Sequence, residues 1–287
     1  MTSRFHDAHN HLQDERFSGR QEALLADCRA VGIASMVVNG TAESDWLAVA
    51  GLAQNHPDLI VPSFGCHPWH LDQRTPDWLT KLRRHLDAAP GAGVGEIGLD
   101  RWKPDLPYAG QEEAFLAQLT LAAERDRPAS IHCLKAWGRM LELLQAGPRP
   151  AVGFLLHSYG GPAEMIEPLA RLGAYFSFPG YFLLDRKTRQ LESFRAVPPD
   201  RLLLETDAPD QLPPRSLVRF PLIGGSDGRA LNHPANLGEI YRGLAELLGE
   251  STGSLAARVG ENFHRLFHPK TLPPRVGETG EAVAPQN

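Results

Sequence analysis

Both the fold and the chemistry of this chain start from residues 5–11, which read FHDAHNH. In an extended strand the side chains at positions i and i+2 lie on the same face, so His9 and His11 can point at one place. Imidazole is the commonest metal-binding side chain in proteins. A pair of histidines is a weak signal by itself, because most such pairs bind nothing. The signal strengthens because an apolar strand that leads to a metal-binding residue recurs further along the chain.

Apolar runs of strand length alternate with longer stretches of helical periodicity. The predicted strands cover residues 5–11, 34–38, 59–64, 93–97, 129–132, 151–156, 174–178 and 201–205. The predicted helices cover residues 19–31, 43–55, 77–88, 111–125, 135–144, 163–172, 186–195, 235–248 and 255–267. Near-continuous apolar strands that each precede a helix predict an α/β fold, a closed parallel (β/α)8 TIM barrel. A doubly wound open sheet is the alternative, but it would leave edge strands to cover.

The strand–helix pattern predicts one barrel domain over residues 1–268. Within it, residues 208–233 are rich in proline and arginine and predict a long loop without regular structure, which is usually functional or disordered. Residues 269–287 are polar and rich in proline and glycine, so we expect a disordered tail.

Composition narrows the class of protein. The formal net charge of −5 argues against a broadly basic protein that coats DNA. The sequence shows no apolar stretch of membrane-spanning length and no secretory signal, so we expect no membrane association. The three cysteines are scattered, which is typical of a reducing compartment. We therefore expect a cytoplasmic protein, and no protein partner is evident.

Metal-binding side chains lie at the ends of five predicted strands. They are His9, His11, Glu96, His132, His157 and Asp207. The carboxyl ends of barrel strands open on one face, where barrel enzymes have their active sites. Any one of these residues could simply be hydrogen-bonded to a carbonyl. All six at that one position indicate a centre for two divalent metal ions, with Glu96 placed to bridge them.

The donor set suggests the chemistry. Mixed histidine and carboxylate ligands suit Zn, Mn, Co, Fe or Ni, and Mg with more coordinated water. Two ions roughly 3.5–4 Å apart can activate a hydroxide and stabilise the substrate's oxygens during in-line attack. We predict Asp207 as general base and Glu96 as the second catalytic residue. No serine-elbow or Walker motif is present, which disfavours covalent serine chemistry and nucleotide-driven chemistry.

Substrate contacts are predicted at three further positions, His67, Arg101 and Arg215. His67 follows the third strand and could equally make a structural hydrogen bond. Each arginine alone could be a solvated loop charge, but together with their neighbours they favour an anionic substrate. Trp69 and Trp102 could stack on a base or sugar, or could simply pack.

At these residues the chain resembles the TatD family of metal-dependent hydrolases, within the wider group of amidohydrolase-like barrels. The matching motifs are DAHNHL at 7–12, GCHP at 65–68, GEIGLD at 95–100, SIH at 130–132, LHSYGG at 156–161 and LLETDAP at 203–209. The resemblance implies a two-metal hydrolase, often a deoxyribonuclease. It also implies that the six residues above are the metal ligands and that His67 lies beside the substrate phosphate.

Two segments depart from the family pattern. Cys133-Leu134 replaces the usual Ser-Arg after the fifth strand, and LNHP at 231–234 replaces the usual Arg-Asn-Glu-Pro. We therefore predict a divalent-metal-dependent hydrolase of phosphodiester bonds in DNA or nucleotides, with one alternative on the same barrel. That alternative is a hydrolase of an amide, a lactone or an aminoacyl ester, because the same activated hydroxide can attack a carbonyl carbon. A binding barrel without catalysis is a third hypothesis, which the intact ligand set disfavours.

Overall fold

The computed structural model describes residues 4–103, 105–224 and 228–268. Its main sheet has eight parallel strands whose spatial order is their order in the chain. The strands are β1 (Phe5–Asn10), β2 (Ile33–Asn39), β3 (Ile60–Phe64), β4 (Gly93–Asp100), β5 (Ala129–Leu134), β6 (Phe154–Leu156), β7 (Ala174–Pro179) and β8 (Leu202–Glu205).

Helices connect successive strands and surround the sheet. Within the described residues they are α1 (Gln21–Ala30), α2 (Trp46–Asn55), α3 (Trp78–Ala88), α4 (Tyr108–Glu124), α5 (Trp137–Ala146), α6 (Ile166–Arg171), α7 (Thr188–Phe194), α8 (Leu237–Leu248) and α9 (Thr252–Phe267). None of these described helices combines the length and the apolar character that crossing a membrane requires.

Hydrogen bonds beyond the strand ends join β8 back to β1. The amide of Asp207 donates to the carbonyl of His9 at 3.0 Å. The buried carboxylate of Asp7 accepts the backbone amide of Thr206 at 3.0 Å and its hydroxyl at 2.6 Å. The predicted (β/α)8 barrel is therefore confirmed.

The strands form a core that is covered on both faces. All eight residues of β4 and all three of β6 are buried. A parallel sheet surrounded by helices leaves no wet face, which is why these strands read as apolar runs rather than alternating ones. At the amino-terminal end of the barrel, the side-chain amide of Asn262 on α9 donates to the carbonyl of Leu202 at 2.9 Å.

The fourth strand is longer than predicted. It continues to Asp100, so Glu96 lies inside β4 and the prediction that Glu96 ends its strand is wrong. The prediction stopped at 97 because glycine and aspartate are rare in strands. Gly98 has a specific reason to be there: a Cβ atom would lie 1.9 Å from the carbonyl oxygen of His132. Glycine therefore lets β4 lie close against β5.

The connection between β8 and α8 is more ordered than predicted. It contains a short antiparallel pair, β9 (Leu222–Ile223) and β10 (Ala230–Leu231), and a 3-10 turn at Arg215–Leu217. The side chain of Asn236 accepts the backbone amides of Arg219 and Phe220, each at 2.9 Å. The prediction of a loop without regular structure was thus wrong for these parts, while the predicted tail at 269–287 lies outside the described residues.

Candidate metal centre

The six predicted ligands meet at the carboxyl-terminal face of the barrel. His9 and Glu96 lie within β1 and β4, His132 lies within β5, and His11, His157 and Asp207 follow β1, β6 and β8. Five of them line a cavity of about 880 Å³, and the sixth, His9, is fully buried beneath it. Strands far apart in sequence therefore deliver these side chains to one place. Their role as ligands stays a prediction.

Glu96 lies between two pairs of imidazoles. Its Oε2 atom is 3.4 Å from Nε2 of His9 and 3.2 Å from Nε2 of His11. Its Oε1 atom is 2.8 Å from Nε2 of His157 and 3.2 Å from Nδ1 of His132. The two oxygens of one carboxylate thus face two different groups of nitrogen donors. This is the arrangement that a bridging carboxylate needs.

Asp207 completes the first of these two groups. Its Oδ1 atom lies 3.5 Å from Nε2 of His11 and 3.7 Å from Nε2 of His9. Its Oδ2 atom accepts a hydrogen bond of 2.6 Å from the side-chain amide of Gln211. One oxygen therefore faces the imidazoles, while the other is held by a neutral donor.

Hydrogen-bond partners fix which nitrogen of two imidazoles carries a proton. Nδ1 of His11 lies 2.8 Å from the carbonyl oxygen of Asn39, which can only accept. Nε2 of His132 lies 3.1 Å from Oδ2 of Asp100, whose pKa of about 2 keeps it an acceptor. The opposite nitrogens, Nε2 of His11 and Nδ1 of His132, face Glu96 and would offer lone pairs to a cation that displaced their protons. A metal-ligating histidine is oriented in this way by a carbonyl or carboxylate, so the donor set fits a divalent ion.

His67 is oriented differently. Its Nδ1 atom accepts the backbone amide of Trp69 at 3.2 Å, so the proton of the neutral ring belongs on Nε2. That Nε2 lies 3.4 Å from Oε1 of Glu96. Burial, reinforced by nearby His132, lowers the pKa of His67 to about 4, although Glu96 opposes the shift. His67 is thus a neutral hydrogen-bond donor that faces the cavity.

Mutual attraction sets the charges of the cluster. Burial disfavours ionisation of Glu96, but nearby His67 and His157 outweigh it and hold the pKa of that carboxyl well below its usual range. Burial likewise opposes protonation of His157, and Glu96 overrides it to raise the pKa of that imidazole well above its usual range. Asp207 is also buried, yet the hydrogen bond with His11 lowers its pKa to about 2. The carboxylates are therefore anionic and suited to binding a cation, which would displace the imidazole protons.

A second carboxylate supports the far side of the cluster. Glu205, which the sequence-based ligand set lacks, ends β8 and accepts the hydroxyls of Ser158 and Ser177. Its Oε1 atom lies 3.8 Å from Nδ1 of His157, a buried nitrogen without a hydrogen-bond partner among the described residues.

Donor atoms of three groups approach within 4.8 Å of one another, close enough to share an ion. The groups are His9, His11 and Glu96; His67, Glu96 and His132; and His9, His157 and Glu205. Two of the three contain Glu96. Because the proton of His67 lies on Nε2, His157 is the better third donor beside Glu96 and His132.

The two predicted arginine contacts lie away from the centre. The guanidinium of Arg101 lies 3.7 Å from the centroid of the Tyr108 ring, and the side chain is exposed. Arg215 is exposed in its 3-10 turn. Among the described residues that line the cavity, the cations are Lys187 and Arg16, and Arg16 is paired with Asp14 and Asp210.

Sequence reasoning missed three residues that support the ligands: Asp100, Glu205 and Gln211. Asp100 and Glu205 could have been found, since each ends a strand at the same face as the ligands. Gln211 carried no signal, because an amide in a loop has no characteristic spacing. Its backbone has a φ of +48°, which places its side chain back over Asp207 and Ser158.

Comparison with known proteins identifies clear relatives. A sequence model of the family described as "TatD related DNase" matches residues 6–268. The chain is similar to the 3'-5' ssDNA/RNA exonuclease TatD of Erwinia tasmaniensis, with 31% identity over 258 residues, 90% of this chain and 97% of that protein. It is also similar to YjjV of Escherichia coli, an uncharacterized metal-dependent hydrolase, with 29% identity over 270 residues, 93% of this chain and 99% of that protein. The crystal structure of YjjV superposes with a TM-score of 0.82 at 27% identity, covering 93% of this chain and 99% of that one.

Proposed function

Because this chain belongs to the TatD-related DNase family and is a metal-dependent hydrolase, we propose that it cleaves phosphodiester bonds in single-stranded DNA or RNA. The observation that carries the proposal is Glu96, whose two oxygens face separate pairs of histidines at the base of one cavity. The exonuclease relative covers nearly the same length as this chain, which supports removal of nucleotides from a 3' end.

Two divalent ions would share Glu96 as a common ligand. His9, His11 and Asp207 would hold one ion, and His132 and His157 would hold the other. Nitrogen and carboxylate donors of this kind suit Zn, Mn or a similar ion, and Mg if water completes its shell. Bound there, such ions supply Lewis-acid activation of water and of the phosphoryl group.

Asp207 is the general base of the proposed reaction. Its pKa of about 2 means that the carboxyl is ionised at neutral pH, which is the form that a general base requires. Since Oδ1 faces the imidazoles of His9 and His11, Oδ2 is the atom that takes the proton of the attacking water. The amide of Gln211 holds that Oδ2 atom in the cavity, and Gln211 is therefore a positioning residue.

His67 would donate its Nε2–H to a non-bridging oxygen of the scissile phosphate. The ring is buried and is held by the backbone of Trp69, so its donor is oriented before the substrate arrives. Lys187 on the opposite wall lies beside Tyr181 and would contact a phosphate further along the strand. Arg101 and Arg215, both exposed, would contact only the parts of a long substrate that leave the cavity.

A second candidate function is hydrolysis of an amide, a lactone or an aminoacyl ester on the same barrel. The observation that favours it is the wall formed by Cys133 and Leu134, which gives the cavity an apolar side rather than a cation. The LNHP segment also provides no cation there, because the side chain of Asn232 donates to the carbonyl of Thr206 and His233 faces Asp27.

The test is to incubate the protein, loaded in turn with Mg²⁺, Mn²⁺ and Zn²⁺, with single-stranded and duplex oligonucleotides labelled at the 5' end. We expect a ladder of products that shortens from the 3' end of the single strands. The Asp207→Asn protein, prepared in the same way, serves as the control for a contaminating nuclease. An absence of cleavage with all three metals, together with turnover of a lactone or an aminoacyl ester, would contradict the nuclease proposal and support the second function.

A further inference from the structure

Two exposed large apolar side chains lie at the mouth of the cavity. In the part of the chain that the structure describes, four large hydrophobic side chains are exposed: Leu47, Trp102, Leu134 and Ile223. Two of them, Trp102 at 53% and Leu134 at 37%, line the cavity that contains the candidate metal centre. An exposed apolar group on the rim of a polar site is a typical feature of a ligand contact.

Trp102 and Leu134 are neighbours on this rim. Leu134 ends β5 and pairs in register with Asp100, the last residue of β4. The backbone amide of Arg101 donates to the carbonyl of Leu134 at 2.9 Å, which continues the β4–β5 pairing one residue further. Trp102 follows directly. The leucine therefore ends β5, and the indole lies in the segment that directly follows the adjacent strand β4.

The Asp100 carboxylate connects this rim to the centre. Its Oδ1 atom accepts the backbone amide of Trp102 at 2.6 Å. Its Oδ2 atom accepts both the indole N–H of Trp69 at 2.7 Å and Nε2–H of His132 at 3.1 Å. One side chain thus fixes the position of Trp102 relative to a candidate metal ligand.

Trp69 and Trp102 differ in whether a face of the indole ring is available to a substrate. The ammonium of Lys103 lies 3.5 Å from the centroid of the Trp69 ring, and the indole N–H of Trp69 is already bonded to Asp100. Over the ring of Trp102, by contrast, neither an aromatic ring nor a cation lies among the described residues. Trp102 therefore offers an aromatic face, and Lys103 places a positive charge beside it in sequence.

We propose that Trp102, with Leu134 alongside, is the platform on which the terminal nucleobase of the substrate stacks. This inference rests on the proposed function and narrows its substrate class to nucleic acid with an unpaired terminal base. A nucleobase presents a flat apolar face next to an anionic phosphate, which matches an indole next to the cation-binding centre. A base inside a duplex has both faces covered by its neighbours and cannot use the platform, whereas an unpaired terminal base can turn one face onto the indole.

The test compares Trp102→Ala with the wild type on two oligonucleotides of the same length. One has a normal 3'-terminal nucleotide and the other ends in an abasic residue. Stacking on an aromatic side chain is lost with the indole, so we expect KM for the normal oligonucleotide to rise on the order of 10- to 100-fold, with kcat nearly unchanged. The abasic oligonucleotide should show the raised KM already with the wild type, and Trp102→Ala should change it little.

Two further variants control the measurement. Trp102→Phe keeps an aromatic face and should restore most of the affinity. Leu47→Ala removes an exposed apolar side chain that does not line the cavity, and it should leave KM unchanged. A second readout is quenching of tryptophan fluorescence when a thymidine oligonucleotide is titrated into the Asp207→Asn protein. Adding Trp102→Phe to that protein should remove part of the quenching.

An unchanged KM in Trp102→Ala, or an equal rise on both oligonucleotides, would overturn the inference while leaving the nuclease function intact. If the wild type cleaved neither oligonucleotide with any of the three metals, the proposed function would fail, and the platform would fail with it.

Discussion

Oδ2 of Asp100 accepts the Nε2–H of His132 at 3.1 Å, and this contact turns Nδ1 of the same ring towards Glu96. The carboxylate is itself held by the indole of Trp69 and the backbone amide of Trp102. A buried carboxylate behind an imidazole fixes the tautomer of the ring and increases its basicity.

Asp100→Asn should therefore weaken metal binding about 10- to 100-fold, because loss of such a supporting carboxylate typically has that effect. Calorimetric titration of the purified apoprotein with Zn²⁺ or Mn²⁺ measures the change in metal affinity. Asp105→Asn is the matched control, since Asp105 is exposed in the loop that follows β4. Equal affinities of the Asp100 variant and the wild type would show that His132 needs no support from this carboxylate.

Gln211→Ala should lower kcat on the order of tenfold with a smaller change in KM. A hydrogen bond to a charged group contributes about 1.5–3 kcal/mol, and this one holds the Oδ2 atom that accepts the proton. Single-turnover cleavage of a saturating substrate measures the chemical step. Gln190→Ala, at the wall formed by α7, is a control that should leave kcat unchanged. A rise in KM alone would place Gln211 in substrate binding instead.

Asp207→Asn and Glu96→Gln should fail in different ways. The asparagine keeps the size of the aspartate and one oxygen for the ion, so the protein should fold and retain metal. Its activity should fall about 10²–10⁴-fold, because the general base is lost. Glu96→Gln should instead be depleted of metal, since a neutral amide cannot bridge two cations as a carboxylate does. Metal content and turnover are measured on both purified variants, and near-normal turnover of Asp207→Asn would exclude Asp207 as the base.

The stability of the fold should depend on pH through His6, at the opposite end of the barrel. Its ring packs 4.8 Å from that of Phe263, and its Nδ1 atom is buried without a partner among the described residues. Burial, with a contribution from nearby His264, lowers the pKa of His6 from 6.5 to about 4. Between these two pH values the unfolded chain binds a proton that the folded chain does not, so the free energy of unfolding should decrease as the pH falls from 6.5 to 4.

The decrease attributable to His6 should be on the order of 3 kcal/mol at most. Urea unfolding of the wild type and of His6→Phe at several pH values isolates the contribution of His6. Phenylalanine has a similar shape and does not titrate. The variant should lose less stability across that window. Parallel curves for the two proteins would mean that His6 titrates alike in both states.

The order of the strands and the family could be predicted from the sequence, and the match over residues 6–268 confirms the family. Buried parallel strands appear in the sequence as short apolar runs, so ligands that follow such runs can be recognised from the sequence alone. The length of β4 could not be predicted, because Gly98 and Asp100 are poor strand formers. Glycine is needed at position 98 because β5 lies so close to it. Local propensity contains no information about that approach.

The contacts that orient the side chains around the centre could not be predicted from the sequence either. Gln211 reaches Asp207 through a left-handed backbone conformation, and glutamine has no special preference for it. The distance of Arg101 from the cavity follows from its contact with Tyr108, which a count of loop charges cannot foresee. Strand periodicity thus locates the ligands, whereas the orientation of each side chain depends on neighbours from other strands.

The bonds from Thr206 to Asp7 have a consequence for how the molecule is made. They join residues 199 positions apart, and His9 and His11 meet Asp207 across the same boundary. Contacts between distant positions form late in folding, because a long loop must close first. A ribosome must therefore finish the last strand before one half of the ligand set can assemble. A nascent chain should consequently acquire its full hydrolytic centre only near the end of translation.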